Sequence, residues 1–186
     1  DLSLNKNPYL ESQIASISDD VAYNNHDVED AIRAKLINIK SLKKLDYFND
    51  LIEKIYIKFP DIDHELLTYQ MLRMSISQMI NDIILNSTNM ISKHKIKSIQ
   101  DIKDFNSFLI IMSKKMKNNC NEIRNYLYEN VYNHPKLIAK KSNAENIIFK
   151  LFEYYIKNFN LLPNDWLSKN NFEIKERIIC DYISGM

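Results

Sequence analysis

Glycine and proline are scarce in this sequence of 186 residues, which contains one glycine, Gly185, and four prolines. Tight hairpins normally need glycine, because its backbone adopts positive φ angles without steric cost. A chain with so little glycine is poorly suited to a β-rich fold. We therefore expect an all-α protein, a multi-helix bundle whose helices are joined by short polar loops.

Cysteine and net charge are also low. Cys120 and Cys180 are too few for a disulfide framework and lack metal-ligand spacing, so we interpret them as free thiols of a cytoplasmic protein. The formal net charge is +1, with lysine and arginine spread among acids, so nucleic-acid binding is not indicated. No apolar run approaches the ~20 residues of a membrane span, so we expect no membrane partner.

Hydrophobic residues recur with helical periodicity along most of the chain. The pattern predicts helices from Tyr9 to about Asn25, from Asp27 through Ile37, from Ser41 to Pro60, from Asp61 or Asp63 toward Ile91, from Ser113 to about Tyr132, and from Pro135 to about Phe159. A last helix is predicted to begin at Asn170 or Asn171. Residues 105–112 could be extended or helical, because periodicity does not distinguish the two in so short a run.

The richest polar chemistry lies in residues 18–27, SDDVAYNNHD. On a helix, Asp19, Tyr23 and Asp27 are spaced four residues apart and share one broad stripe. The three acids Asp19, Asp20 and Asp27, together with the tyrosine, could hold a divalent cation through their oxygens or hydrogen-bond a polyhydroxylated ligand. The alternatives are a solvated face, or an acidic cap on the next helix, a role open to Asp27.

A second polar cluster lies in residues 123–135. Arg124, Tyr128 and Tyr132 are again spaced four residues apart, which places one guanidinium and two phenols on one helical stripe. Arginine suits phosphate, because its planar fork donates two parallel hydrogen bonds. Ladders of arginine and tyrosine are also common on bundle surfaces, so a structural role stays open.

Both clusters resemble segments of one known family. The runs LESQIA and SDDVAYNNHDVEDAIRA, at residues 10–15 and 18–34, are similar to the segment "LE-x-Q-[IV]-A-x-[IL]-A-D-D-[IV]-A-Y-x-x-H-D-[IL]-x-D" of bacterial deoxyguanosinetriphosphate triphosphohydrolase-like proteins of the HD superfamily. Residues 123–135 resemble the family's "[FL]-L-x-x-x-V-Y-x-H-P", and residues 177–186, RIICDYISGM, resemble "R-x-[IV]-x-D-Y-I-[AS]-G-M-T-D". The resemblance covers essentially the whole chain.

The resemblance implies an enzyme that cleaves a deoxynucleoside triphosphate into a deoxynucleoside and inorganic triphosphate. It implies a divalent metal, Mg²⁺ or Mn²⁺, with ligands in the order His, His-Asp, Asp, and it makes Asp19 the last ligand. In a more distant mammalian dNTPase of the superfamily, the positions that match Tyr23 and Asp27 face the sugar, with the aspartate on the 3′-hydroxyl. There the position of Arg124 contacts the nucleotide, and that of Tyr132 blocks a 2′-hydroxyl.

The other residues of the family's metal site have no counterpart in the sequence. No histidine precedes His26, so the dipeptide His26-Asp27 is not interpreted as the metal-binding pair. We therefore expect residues 1–186 to be a single all-α fragment, the C-terminal half of an HD-type dNTPase. It would contribute no catalytic residue, be inactive alone and form homo-oligomers as its relatives do. The alternative is a non-catalytic helical interaction or oligomerisation module derived from that family.

Overall fold

A computed structural model describes residues 6–168 and 174–186 of the chain. The structure is 78% helical, and these residues contain no β-strand, which confirms the all-α prediction. The helices form two compact units that divide between Tyr132 and Asn133, and each is described by itself. The expectation of a single domain over residues 1–186 stays a prediction.

Residues 6–132 of the first unit form six α-helices and a short π-helical segment. Their bounds are α1 Leu10–Arg33, α2 Ile39–Leu42, α3 Asp46–Lys58, α4 His64–Lys93, α5 Ile99–Asp104, α6 Lys114–Leu127 and the π segment Tyr128–Tyr132. The longest helix, α4, begins where the sequence predicts, because the side chain of Asp63 caps it by accepting from the N–H of Leu66 at 2.9 Å. None of the helices in the described ranges is apolar over enough length to cross a bilayer.

Helix α1 is longer than the sequence predicts. An end near Asn25 and a new helix capped by Asp27 were expected, but α1 continues unbroken to Arg33. Asn24 and Asn25 do not end the helix, because both side chains are buried and each donates at 2.8 Å to the carbonyl oxygen four residues earlier. Asp27 therefore lies in the interior of α1, and the interpretation of this residue as a helix cap is wrong.

The core of the first unit lies between α1, α3, α4 and α6. Helix α4 packs against both α1 and α3, and α6 packs against α1. The largest side chains that are fully buried in this core are Phe48, Leu42, Leu51, Ile52, Leu67, Met71, Met79, Leu109, Ile123 and Leu127. Removal of these side chains from water is the main stabilising term of such a bundle, and Met71 and Met79 of α4 belong to this core.

The non-helical segment between α5 and α6 is fixed by side chains of α1 and α4. The carboxamide oxygen of Gln13 on α1, a buried residue, accepts from the N–H of Leu109 at 2.8 Å and of Ile110 at 3.2 Å. Its Nε2 donates to the carbonyl oxygen of Pro8 at 2.9 Å. Gln13 thus satisfies backbone groups that no helix or strand pairs, as buried N–H groups require.

Two residues of α4 continue this pattern. Ser87 Oγ accepts from the N–H of Ile111 at 3.0 Å, and Asp82 Oδ2 accepts from the N–H of Ser113 at 2.7 Å. Ser113 then caps α6 through its own side chain. These hydrogen bonds therefore fix the position of α6 beside α1, where the candidate site forms.

The second unit contains α7 Pro135–Lys157, a 3-10 turn Phe159–Leu161, α8 Asn164–Leu167 and α9 Lys175–Ser184. Its small core consists of Leu162, Ile178 and Ile179, with Phe152, Tyr155, Trp166 and Tyr182 packed against it. The predicted start of the last helix at Asn170 or Asn171 lies outside the described residues.

The apolar residues that recur along α7 are only partly buried. Phe152 and Tyr155 pack against the core, whereas Ile138, Ile147 and Ile148 are about half exposed. The small core is formed by α9 and Leu162. The residues of α7 that pack against this core, Phe152 and Tyr155, lie in the C-terminal half of the helix. Periodicity therefore identified an apolar stripe on α7, but not how far along the helix that stripe is covered.

Replacement of Gln13 by leucine tests the role of its carboxamide. Gln13→Leu keeps an apolar stem of similar size but leaves the N–H groups of Leu109 and Ile110 without an acceptor, and each buried unpaired group costs about 1–3 kcal/mol. We expect the free energy of unfolding in urea to fall by roughly 2–4 kcal/mol. Gln100→Leu, the same change at an exposed position, should alter it by less than about 0.5 kcal/mol. Equal effects of the two variants would contradict this role.

Candidate functional site

The candidate site lies where α1 meets α6 and the π segment, all within the first unit. The apolar stripes of both helices are buried in the core, with Val21 and Val28 on α1 and Ile123 and Leu127 on α6. This packing brings together polar side chains that are 104 to 109 residues apart in sequence. The polar side chains that meet are Asp20, Tyr23, Asp27, Arg124 and Tyr132.

Tyr23, Tyr132 and Asp27 form a directed chain of hydrogen bonds. The hydroxyl of Tyr132 donates to Oδ2 of Asp27, and the hydroxyl of Tyr23 lies 2.6 Å from that of Tyr132. A phenol has a single proton to donate. Because Tyr132 donates its proton to Asp27, Tyr23 must be the donor to Tyr132.

The environment of Tyr132 keeps its phenol neutral. Burial raises the pKa of Tyr132 well above its ordinary value, and its hydrogen bonds with Asp27 and Tyr23 raise the pKa further. A phenolate at this position would stand beside the carboxylate of Asp27, and like charges at this separation repel. At neutral pH, Tyr132 is therefore a hydrogen-bond donor and a fixed aromatic wall rather than a base.

Arg124 forms the second link between the two helices. Its Nη2 donates to Oδ1 of Asp20 at 2.6 Å, a charge-assisted hydrogen bond. The side chains are 39% and 55% exposed, respectively, so water screens this ion pair. The guanidinium is thus held at the surface of the site, where an anion can reach it.

The π-helical segment controls where Tyr132 points. A regular α-helix would place Arg124, Tyr128 and Tyr132 on one stripe, as expected from their spacing. Instead, residues 128–132 form a π turn, in which the hydrogen bonds span five residues rather than four and the side chains depart from the α-helical stripe. Tyr128 is 61% exposed, while Tyr132 is half-buried against α1. The predicted stripe is therefore correct for Arg124 and Tyr132 but not for Tyr128.

Asp19 and His26 do not join this network. Asp19 is exposed and makes no hydrogen bond or ion pair with any residue that the structure describes. His26 is exposed and its Nδ1 lies 3.8 Å from Oε2 of Glu29, so it interacts with Glu29 rather than orienting Asp27. In residues 6–168 and 174–186, no three His, Cys, Asp or Glu side chains come together as metal ligands. Asp19 offers a suitable oxygen donor, but these residues alone do not form a metal centre.

Asp20 is the contact residue that sequence reasoning missed. The sequence identifies it as one of the acids of α1 but assigns no partner to it. Its position three residues before Tyr23 places it on the same side of the helix, and that spacing could have indicated a contact with the residues opposite. Its partner, Arg124, could not be identified from spacing within α1.

The chain is similar to known proteins both over its C-terminal part and over its whole length. Residues 110–186 match the model of the phosphohydrolase-associated domain, a range that includes α6 and the π segment. This part of the chain is therefore similar to a domain associated with phosphohydrolases. Over its whole length it is also 35% identical to the deoxyguanosinetriphosphate triphosphohydrolase-like protein of Rickettsia typhi, and 34% identical to those of Rickettsia prowazekii and Rickettsia rickettsii.

These relatives extend beyond the present sequence. Each alignment covers all of this chain and 49% of the relative, so the chain spans about half the length of the curated relatives it matches. The chain is similar over its whole length to deoxyguanosinetriphosphate triphosphohydrolase-like proteins, which confirms the resemblance of its motifs. The roles of individual site residues toward a ligand stay predictions.

A double-mutant cycle measures the link between the π segment and α1. Tyr132→Phe removes the hydrogen bond between these residues, and Asp27→Asn removes the charge that strengthens it, so their effects on the free energy of unfolding should not add. We expect a coupling energy of roughly 1 kcal/mol, because the groups are only half-buried. The control is Tyr128→Phe with Asp27→Asn, which should couple negligibly since Tyr128 is exposed. Additive effects for Tyr132 and Asp27 would contradict the observed contact.

Proposed function

We propose that this chain is the part of a metal-dependent deoxynucleoside triphosphate triphosphohydrolase that contacts the sugar and the phosphates. The enzyme would use water to cleave a deoxynucleoside triphosphate into a deoxynucleoside and inorganic triphosphate. The observation that carries the proposal is the convergence of Asp27, Tyr132 and Arg124 on one surface formed by α1, α6 and the π segment. Homology to proteins named for deoxyguanosinetriphosphate supports this substrate class.

Asp27 is proposed to bind the 3′-hydroxyl of the deoxyribose. A carboxylate has two acceptor oxygens, and the hydroxyl of Tyr132 uses Oδ2. Oδ1 can therefore accept a second hydrogen bond from a ligand without loss of the first. Because Asp27 is half-buried, such a bond would be less screened by water than one at an open surface.

Tyr132 is proposed to exclude a 2′-hydroxyl. The 2′ and 3′ carbons of a ribose are adjacent, so a sugar whose 3′-hydroxyl binds Asp27 presents its 2′ carbon close to the residue bonded to Asp27. Two hydrogen bonds hold the Tyr132 phenol in place, so it cannot easily swing aside. A phenol held in this way would favour deoxynucleotides by excluding a sugar that carries a 2′-hydroxyl. Tyr23 would face the sugar and also orient Tyr132.

Arg124 is proposed to bind the phosphates and Asp19 to serve as one metal ligand. Arg124 is a partly exposed guanidinium on the same surface as Asp27, and guanidinium is well matched to phosphate oxygens. Asp19 would need further ligands, which we assign to the portion of the full-length protein that this chain does not span. Mg²⁺ or Mn²⁺ is the proposed ion.

The chain alone would then be inactive. Homo-oligomerisation and a cytoplasmic location stay predictions.

A second candidate function is favoured by a different surface. Exposed isoleucines of α1 and α4, among them Ile14, Ile80 and Ile84, line an apolar groove of about 500 Å³. Grooves of this kind are typical of surfaces that bind another polypeptide. A non-catalytic interaction module would use this groove and have no need of the polar cluster. Hydrolysis by the full-length protein that depends on Asp27 would exclude this alternative.

Replacement of Asp19 and replacement of Asp27 in the full-length protein should have different effects on metal content and turnover. Asp19→Ala should lower the bound metal and abolish turnover at saturating substrate, because the proposed ligand is lost. Asp27→Asn should leave the metal content unchanged and lower kcat/KM by roughly 10- to 150-fold, which corresponds to a charged hydrogen bond of about 1.5–3 kcal/mol. The measurements are metal analysis and triphosphate release from dGTP.

Asp30→Asn is the matched control for both variants. It removes one carboxylate from the same helix, at an exposed position that pairs with Arg33. We expect metal content and kcat/KM close to those of the unmodified protein. If Asp19→Ala retains both its metal and its turnover, Asp19 is a surface acid and its assignment is wrong.

Tyr132→Ala tests the sugar preference. Loss of the phenol removes the proposed wall at the 2′ carbon, so the ratio of kcat/KM for dGTP to that for GTP should move toward one. The comparison variant is Tyr128→Ala, which shortens an exposed tyrosine of the same segment and should leave the ratio unchanged. An unchanged ratio in Tyr132→Ala, in a protein that still hydrolyses dGTP, would show that Tyr132 does not select the sugar.

A further inference from the structure

The contact between Arg124 and Asp20 uses only part of what each group offers. One guanidinium nitrogen, Nη2, donates to one carboxylate oxygen, Oδ1, at 2.6 Å. A guanidinium has five N–H donors arranged in a planar fork. The contact with Asp20 is therefore not the bidentate arrangement, with two parallel hydrogen bonds, that arginine can form with a carboxylate or a phosphate. Arg124 is thus held by Asp20 while much of its donor capacity stays available.

The surroundings make this contact easy to exchange. Both side chains are more than one third exposed, and exposed ion pairs contribute little because water solvates the separated charges almost as well. A phosphate carries more charge than a carboxylate and accepts both prongs of the guanidinium fork. An incoming phosphate therefore competes successfully for Arg124.

Asp20 is poorly placed to remain beside a bound phosphate. If Arg124 turned its fork to a phosphate and kept Asp20 within hydrogen-bond distance, two anionic groups would share one cation at close range. Such groups repel each other. Because the Asp20 side chain is 55% exposed, it can turn into water instead. This differs from Asp27, which is half-buried and bonded to Tyr132.

We propose that Asp20 is an exchangeable partner of Arg124, which holds the guanidinium in the empty site, yields it to an incoming phosphate and takes it back as the anionic product leaves. The inference rests on the proposed function, since it assumes that phosphate binds at Arg124. Asp20 is then a positioning residue that sets how tightly phosphate-bearing ligands bind. It has no effect on ligands that lack phosphate.

The test is the equilibrium binding of two probes, inorganic triphosphate and deoxyguanosine, to the full-length protein in the presence of EDTA, so that no divalent cation mediates the contact. Asp20→Asn keeps the shape of the side chain and removes its charge. We expect triphosphate to bind roughly two- to fivefold more tightly, since an exposed ion pair no longer competes for Arg124. The affinity for deoxyguanosine should not change.

Two comparison variants isolate the effect. Asp30→Asn removes the same charge from α1 and loosens a different ion pair, with Arg33, so it reports any general effect of net charge. Arg124→Gln should weaken triphosphate binding. In a protein that already carries Arg124→Gln, Asp20→Asn should raise the affinity for triphosphate by no more than Asp30→Asn does. The selective gain therefore requires both Asp20 and Arg124.

Other results would overturn the inference. Weaker triphosphate binding by Asp20→Asn would mean that Asp20 stays in place and orients Arg124 for the bound phosphate. A change no larger than that of Asp30→Asn would mean that Asp20 does not compete at all. Failure of the proposed function would give a different result. If the full-length protein shows the predicted changes in binding but does not hydrolyse dGTP, the role of Asp20 stands and the proposed enzymatic function is wrong.

Discussion

The hydrogen bond from Tyr132 to Asp27 joins the π segment to the interior of α1, and the geometry of the candidate site depends on it. It fixes the phenol as a neutral donor, sets the direction of the bond from Tyr23 and leaves one oxygen of Asp27 for a ligand. The bond can form only because α1 continues past Asn25. A break at that residue would have placed Asp27 at the start of another helix, where its carboxylate would cap backbone N–H groups instead.

The two polar links between α1 and α6 differ in their exposure, and this difference assigns them different roles. The link through Tyr132 and Asp27 is half-buried, so we expect it to be retained when a ligand binds. The link through Arg124 and Asp20 is exposed and can be exchanged. A site with one fixed and one exchangeable contact holds its shape when empty and still offers a cation to phosphate. Gln13 supports both links, because it anchors the segment that leads into α6.

Some of this could be predicted from sequence because its causes are local. A single glycine indicated helices, and Asp61 or Asp63 indicated the start of α4. Family motifs brought Tyr23, Asp27, Arg124 and Tyr132 into one hypothesis. The unbroken course of α1 could not be predicted, since it depends on the burial of Asn24 and Asn25 by distant helices. The π turn at Tyr128–Tyr132 and the partner of Asp20 were also missed. Asp20 and Arg124 are 104 residues apart, so no spacing within one segment relates them.

The most direct test of the central claim is a crystal structure of the full-length protein with a bound, non-hydrolysable deoxynucleoside triphosphate. Our account predicts the 3′-hydroxyl within hydrogen-bond distance of Asp27, the 2′ carbon against the ring of Tyr132, and a phosphate on the guanidinium of Arg124 with Asp20 turned into solvent. A nucleotide bound elsewhere, with Tyr132 and Asp27 still joined only to each other and to Tyr23, would contradict it. In that case the polar cluster would be a structural clamp between α1 and α6.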